Sequence, residues 1–416
     1  MDELKLIGPI RQLVTMEALP LKGPLSDSQL QIVEQAGILI SNGKILAIGV
    51  FERLKTDYSK AELYELKGDH VCLPGFIDAH THICFGGSRA NDYALRNSGK
   101  TYLEIAKSGG GIWDTVTETR KAEKEELIKK TTKLANRHLE TGVTTLEVKS
   151  GYGLSVEEEI KMLEAIKQAN DTIPSDLIAT CLAAHMFPKD YKGTKKEYLE
   201  ELVVKLLPMI KEKGLAHRID AFIEESAFSP IEIAPYFETA KKMGFDITVH
   251  ADQFTPGGSQ VAVDFGAISA DHLEASTEKE IQLLAQSDTI ATALPGASLG
   301  LGCNFTPARK LLDAGATLAI ASDHNPGSAP MGDLLTQAAI LGAFEKLSNA
   351  EVLAGITIRA AAALGLKDRG KLAKGLLADF SLFHTDNYQE ILYNQGNLKP
   401  CMVWKAGSLV FNKHKA

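Results

Sequence analysis

The stretch Val71-Cys72-Leu73-Pro74-Gly75-Phe76-Ile77-Asp78-Ala79-His80-Thr81-His82 carries the first clue to the fold. An apolar run of strand length, 71–78, is followed at once by two histidines with one residue between them. Side chains alternate faces along an extended chain, so His80 and His82 project the same way from the end of that strand. Further apolar runs follow at 143–149, 177–185, 219–224, 246–250, 267–272, 289–294 and 317–323, and several close on a His or Asp. Helical periodicity lies between them, clearest at 157–169, 198–213 and 230–243. Eight strands alternating with helices predict an α/β fold, a (β/α)8 TIM-like barrel, whose functional side chains gather at the C-terminal ends of the strands.

The flanks read differently. Gly37-Ile38-Leu39-Ile40 and Ile45-Leu46-Ala47-Ile48 are separated by Ser41-Asn42-Gly43-Lys44, and Asn-Gly between apolar runs signals a hairpin. Near the other end, Ala378-Asp379-Phe380-Ser381-Leu382-Phe383 and Cys401-Met402-Val403-Trp404, with Ser408-Leu409-Val410-Phe411 after a turn, also read as short strands. Neither end has enough apolar residues for its own core. The expected organisation is therefore a small β-sandwich domain built from residues 1–70 and 371–416, with the barrel at 71–370.

Composition narrows the function class. A chain of 416 residues suits a large barrel plus a small second domain, and 44% hydrophobic with 24% charged residues is ordinary for a globular protein. The net charge of -8 weighs against a nucleic-acid partner, and the mixed charges of 120–126 read as a solvated helix face. Five scattered cysteines without CxxC spacing argue against a disulfide framework or a cysteine metal site. The start Met1-Asp2-Glu3-Leu4-Lys5 lacks the pattern of a signal peptide, and no apolar stretch would span a bilayer. A cytoplasmic protein with no membrane partner is expected.

The strand ends supply a metal constellation. His80 and His82 end the first strand, His250 the fifth, His272 the sixth and Asp323 the eighth. One polar residue in such a place is commonly a satisfied core group, but four in this order point to a site. Three imidazoles (His80, His82, His250) and one carboxylate (Asp323) suit a single zinc or iron ion with room for a water. Dinuclear barrel hydrolases often carry a bridging lysine at the end of the fourth strand. The run Ile219-Asp220-Ala221-Phe222-Ile223-Glu224 has none, which favours one metal, and Lys149 on the second strand is given a structural or electrostatic role.

These features resemble the amidohydrolase superfamily. Within it, several segments resemble the imidazolonepropionase family: His80-Thr81-His82-Ile83-Cys84-Phe85-Gly86-Gly87-Ser88-Arg89-Ala90, Ser108-Gly109-Gly110-Gly111-Ile112, and Glu147-Val148-Lys149-Ser150-Gly151-Tyr152-Gly153-Leu154. His250-Ala251-Asp252-Gln253, Ser269-Ala270-Asp271-His272-Leu273 and Ser322-Asp323-His324-Asn325-Pro326-Gly327 complete the set. The resemblance implies metal-dependent hydrolysis of the cyclic amide 4-imidazolone-5-propanoate to N-formimidoyl-L-glutamate, the third step of histidine degradation. Asp323 would then ligate the metal and move a proton from water to the leaving nitrogen, with His272 orienting the water or steadying an oxyanion. Arg89 would grip the propionate tail in a two-point fork. Tyr152 would stack on or hydrogen-bond the ring, and His185 would bind its carbonyl. Asn325, Gly327 and Ser328 would hold the polar end; Tyr102 is a weaker candidate.

Gln253 occupies a position where related barrel deaminases carry a proton-shuttling glutamate. A glutamine there favours ring opening over deamination, through hydrogen bonds to the cyclic amide. The run Leu294-Pro295-Gly296-Ala297-Ser298-Leu299-Gly300-Leu301-Gly302 is glycine-rich where aromatics are expected. The competing readings are an aminohydrolase acting on a heterocyclic base and a catalytically dead barrel, and the complete ligand set argues against the second. A homodimer is an expectation from relatives alone, without an interface signature.

Overall fold

The computed structural model describes residues 4–100, 104 and 109–413. Tyr102 and Ser108 lie outside them. The chain begins with strands β1 (Leu4–Val14), β2 (Ile32–Ser41), β3 (Lys44–Val50), β4 (Glu62–Glu65) and β5 (Val71–Pro74). It then runs through β6 (Phe76–Asp78), β7 (Val143–Lys149), β8 (Asp176–Ala184), β9 (Arg218–Phe222), β10 (Asp246–Ala251), β11 (Ser269–His272), β12 (Ile290–Ala293) and β13 (Leu318–Ile320). It ends with β14 (Phe380–Phe383), β15 (Met402–Lys405) and β16 (Ser408–Asn412).

Strands β6 to β13 pair in sequence order, all parallel. A bridge between Thr81 and His324 draws the first and last strands together beyond their ends. The result is the (β/α)8 barrel. Its parallel register lines one face of neighbouring strands with polar groups: Lys149 beside Thr180, Asp220 beside Thr248, and His250 beside Asp271. Their apolar neighbours Leu146, Val148, Ile219, Val249 and Ala270 are buried on the alternate face. A barrel lumen usually fills with branched apolar side chains. This one carries charge, which has to be neutralised internally.

Both chain ends share one sheet, in the order β16-β15-β14-β5-β1-β2-β3, with β4 on β1. The Asn42-Gly43 turn has φ of 50° and 75°, the paired positive values that a two-residue hairpin demands. The sheet curls over itself, so that Tyr64 on β4 meets Trp404 on β15 edge-on at 5.0 Å. The two layers enclose Ile7, Ile38, Cys72, Phe380 and Trp404. The apolar run 71–78 is thus two strands, not one. Val71–Pro74 pairs with β1 and β14 in the end sheet, and only Phe76–Asp78 enters the barrel. The break at Pro74-Gly75 marks the crossing. Leu19, Leu25 and Leu30 pack into the barrel's own core although they lie among the first seventy residues.

The end sheet is tied to the N-terminal ends of the barrel strands. Lys405 Nζ lies 2.7 Å from Asp176 Oδ2 and 2.7 Å from Asp379 Oδ2, and Arg369 also engages Asp176. This anchoring leaves the opposite, C-terminal end of the barrel open for chemistry. Among the described residues, no helix is long and apolar enough to cross a membrane.

Candidate metal centre and active site

His80, His82, His250 and Asp323 converge at the C-terminal end of the barrel, all buried. The Nε2 atom of His82 is 3.1 Å from Nε2 of His80 and 3.3 Å from Nε2 of His250. Asp323 Oδ1 stands 3.5 Å from the His82 nitrogen and 3.6 Å from that of His80. Burial pushes the His80 and His82 rings well below their usual pKa and His250 down to about 4, so all three rings are neutral near pH 7. The far nitrogens of two of them face carboxylates. His80 Nδ1 is 2.7 Å from Asp271 Oδ2, and His250 Nδ1 is 2.9 Å from Asp220 Oδ2. With the protons on Nδ1, the Nε2 lone pairs point at one another. Nitrogens bonded to one ion at 2.0–2.1 Å sit about 3–3.5 Å apart, which this cluster matches. The donor set fits a single metal ion, held by the three histidines grouped here and approached by Asp323.

Lys149 sits beneath this centre, fully buried. Its Nζ is 2.8 Å from Glu147 Oε2, 2.8 Å from Asp220 Oδ2 and 3.8 Å from Asp271 Oδ2. Burial works against its charge, but Asp220, Glu147 and Asp271 outweigh it and raise its pKa. One ammonium therefore steadies both carboxylates that orient His80 and His250, the outer layer that fixes ligand tautomers in metal sites. Asp220 and Asp271 were not singled out from the sequence. Their signal was available: single carboxylates inside apolar strand runs, on the face shared with a ligand.

Backbone strain also gathers here. Asp252, His272, Leu273 and Asp323 have φ of 52°, 90°, 72° and 50°, unusual for residues other than glycine and concentrated at strand ends around the site. The His272 ring lies 5.3 Å from that of His250, and its Nδ1 is 3.5 Å from Glu274 Oε2. Burial lowers the His272 pKa, but Glu274 and Asp323 outweigh it and the net shift is upward. Burial likewise pushes the Asp323 carboxyl up to about 6, against the pull of His272.

The expected substrate residues ring the same mouth. Tyr152 is buried with its ring 5.9 Å from His82 and 5.5 Å from His185. Its Gly-Tyr-Gly loop is held by Glu159, whose carboxylate accepts from the amides of Gly151, Gly153 and Leu154. Glu159 escaped the sequence reading because a glutamate in the first turns of a helix is ordinary. His185 stacks on His82 at 5.6 Å, and its Nδ1 lies 3.0 Å from the Gly151 carbonyl. Gln253 is half-buried on the loop after β10, which Glu224 clamps through the amides of Phe254 and Thr255.

Arg89 and the 323–328 loop, far apart in sequence, meet in space. Arg89 Nε is 2.8 Å from Asp92 Oδ2, which fixes the guanidinium. A Cβ on Gly327 would come within 2.2 Å of Arg89 Nη1, so a side chain there would push the guanidinium aside. Asn325 braces its own loop. Its Oδ1 accepts from the amides of Gly327 and Ser328, and its Nδ2 donates to the Asp323 carbonyl and to Ser328 Oγ. Ser328 Oγ in turn lies 3.4 Å from Asp323 Oδ2. The glycine-rich run is explained by the same loop. It forms a short helix, Pro295–Leu301, in which a Cβ on Gly296 or Gly300 would strike the backbone carbonyl of Ser322 or Ser328. Bulky residues are excluded there by that close approach.

Comparison with known proteins agrees with this geometry. Residues 71–410 match the amidohydrolase family. An imidazolonepropionase of Bacillus cytotoxicus is 41% identical over 387 residues, covering 92% of this chain and 91% of that protein. One of Fusobacterium nucleatum is 40% identical over 408 residues, covering 97% and 98%. Among solved structures, the zinc complex of an atrazine chlorohydrolase from Arthrobacter aurescens superposes with a TM-score of 0.73 at 18% identity, covering 98% of this chain and 95% of its own. A zinc-bound adenosine deaminase from Xanthomonas campestris gives 0.69 at 20% identity, covering 98% and 93%. These two bear on the fold alone. The extent and level of the sequence matches, over a barrel whose mouth gathers a histidine cluster, show that the chain belongs to the imidazolonepropionases of the amidohydrolase family.

Proposed function

We propose that this protein hydrolyses the ring amide of 4-imidazolone-5-propanoate to give N-formimidoyl-L-glutamate. The observation that carries the reading is the meeting of the His80, His82, His250 and Asp323 cluster with the Arg89–Gly327 contact at one barrel mouth. His80, His82, His250 and Asp323 would hold one ion, zinc or iron. When bound, it supplies Lewis-acid polarisation and brings water towards ionisation at neutral pH.

The chain's own groups divide the remaining work. Asp323 takes a proton from the attacking water and delivers it to the departing ring nitrogen, so the carbonyl carbon gains oxygen as the C–N bond breaks. His272, raised towards protonation beside Glu274, donates to the oxygen that gains charge. His185 points Nδ1 at the Gly151 carbonyl, and burial lowers its pKa to about 4. A neutral ring in that tautomer offers Nε2 as an acceptor, which suits a ring N–H of the substrate better than the ring carbonyl. Gln253 hydrogen-bonds the cyclic amide, and Tyr152 packs against the ring. Arg89, with Nε taken by Asp92, keeps its two Nη groups for the propionate. Ser328 lies close enough to Asp323 to steady it, and with Asn325 and Gly327 it forms the loop that holds the substrate's polar end. Five free cysteines suit a cytoplasmic setting.

The test is loss of imidazolone absorbance with the purified protein. Dialysis against a chelator should abolish it, and added zinc or iron should restore it. No turnover by the metal-loaded protein would sink the proposal, and ammonia release from heterocyclic bases would favour an aminohydrolase instead.

A further inference from the structure

Outside the barrel strands, the helix Lys124–Glu140 places a buried histidine, His138, behind the segment that carries Asp323. His138 Nε2 lies 2.8 Å from Nδ1 of His324, the residue after Asp323. Its other nitrogen, Nδ1, faces Asp78 Oδ2 at 3.6 Å. Burial lowers the His138 pKa well below its usual value and that of His324 to about 4. Both rings are therefore neutral, and one proton lies between the two close nitrogens. His138, His324 and Asp78 have no part in the chemistry described above.

The contacts close into a ring around Asp323. Asp78 Oδ1 accepts from the Ser322 amide at 2.9 Å, and Ser322 Oγ accepts from the His324 amide at 3.1 Å. Both chain neighbours of Asp323 are thus held, Ser322 by Asp78 and His324 by His138. Asp323 itself has φ of 50°, a left-handed conformation that a non-glycine residue keeps only where its surroundings over-determine it. The same segment is joined to the first ligand strand. The Asp323 amide donates to the His80 carbonyl at 3.0 Å, and the His82 amide donates to the His324 carbonyl at 2.9 Å. The helix also holds the far side of the loop, where Arg137 Nη2 donates to the Met331 carbonyl at 3.3 Å. A Cβ on Gly332 would fall 2.3 Å from His324 Nδ1, so the loop backbone closes over the His324 ring.

We propose that His138 is a positioning residue for the metal centre: through its hydrogen bond to His324 it holds the strained 322–324 segment, and with it the Asp323 carboxylate, in register with His80 and His82. The inference rests on the role given to Asp323 under the proposed function. A ring that served only to fill space at 138 would be replaceable by another ring, whereas a latch needs the nitrogen.

The test uses the full chain loaded with cobalt, whose visible absorption bands report ligand geometry. His138→Phe keeps a ring and removes both nitrogens, while His138→Gln returns a hydrogen-bonding atom near the place of Nε2. Leu127→Ala, buried on the same helix, removes packing and leaves the latch intact. His138→Phe should alter the bands, and should weaken metal binding in chelator competition and lower kcat at saturating metal by about tenfold each. His138→Gln should recover most of these losses. Leu127→Ala should lower Tm with bands and metal Kd unchanged. His324→Leu breaks the same bond from the other side, which keeps the test open if His138→Phe does not fold. It should reproduce the losses, and the double variant should be no worse than either single one. Natural bands and metal Kd in His138→Phe or His324→Leu would overturn the proposal. So would no recovery in His138→Gln, additive losses in the double variant, or the same spectral change in Leu127→Ala. Failure of the natural protein to bind cobalt would overturn the ligand assignment itself, and this inference with it.

Discussion

Replacing Lys149 by methionine removes the one ammonium shared by three buried carboxylates while keeping most of the side-chain volume. Glu147 and Asp220 each lie 2.8 Å from the Lys149 nitrogen, Asp271 lies 3.8 Å away, and all four groups are essentially inaccessible to water. The remaining cation nearby is Arg218, with Nε 3.6 Å from Glu147 Oε1. Breaking a buried pair by removing one partner costs about 3–5 kcal/mol, because the other charge stays buried and unpaired. The cheapest relief is protonation of a carboxylate. Asp220 is normally held far below the usual carboxylate range, since His250 and Lys149 outweigh the effect of its burial. If Asp220 or Asp271 protonates or turns away, His250 or His80 loses the acceptor that fixes its tautomer. Loss of such an outer partner weakens metal binding by about 10–100-fold. Chelator competition measures that affinity, and melting with and without metal measures the folding cost. Asp220→Asn on top of Lys149→Met should recover part of the stability, because it removes an orphaned charge. An unchanged metal Kd together with an unchanged Tm in Lys149→Met would refute the reasoning.

Other perturbations test separate parts of the site. Arg89→Ala should raise KM strongly with a smaller effect on kcat, because it removes a grip on the tail that ground and transition states share; a normal KM would mean the carboxylate is held elsewhere. Asp323→Asn should nearly abolish turnover even at saturating metal, and a near-normal rate would remove its proton-transfer role. At the other end of the barrel, burial pushes the Asp176 carboxyl up, but Lys405 and Arg369 outweigh it and hold it below the usual range. A depressed folded pKa contributes stability that is complete above the unfolded value of about 4 and is lost as pH falls through the folded one. The melting difference between the natural protein and Asp176→Asn should therefore shrink from about pH 5 to about pH 3. A pH-independent difference would show that the clamp is not electrostatic.

Local pattern was enough for the parts of this protein that depend on neighbouring residues. The alternation of apolar runs and amphipathic stretches announced the barrel, and the Asn42-Gly43 turn announced its hairpin. His80 and His82 shared a face because a strand repeats every two residues. His250 and Asp323 were legible as polar ends of apolar runs. Tertiary structure alone decided what those residues meet. The split of 71–78 between two sheets depends on pairing with β1 and β14, which no local pattern reveals. The role of Lys149 arises only when β7, β9 and β11 bring Glu147, Asp220 and Asp271 around one nitrogen. Asn325 read as a residue for the substrate's polar end, and only the fold shows that its amide also braces its own loop. Gly296 and Gly300 read as an odd pocket wall, but the carbonyls of Ser322 and Ser328 leave no room for a side chain. Side-chain periodicity is a property of one strand, whereas charge neutralisation and close packing belong to strands that are distant in sequence and meet only in the folded barrel.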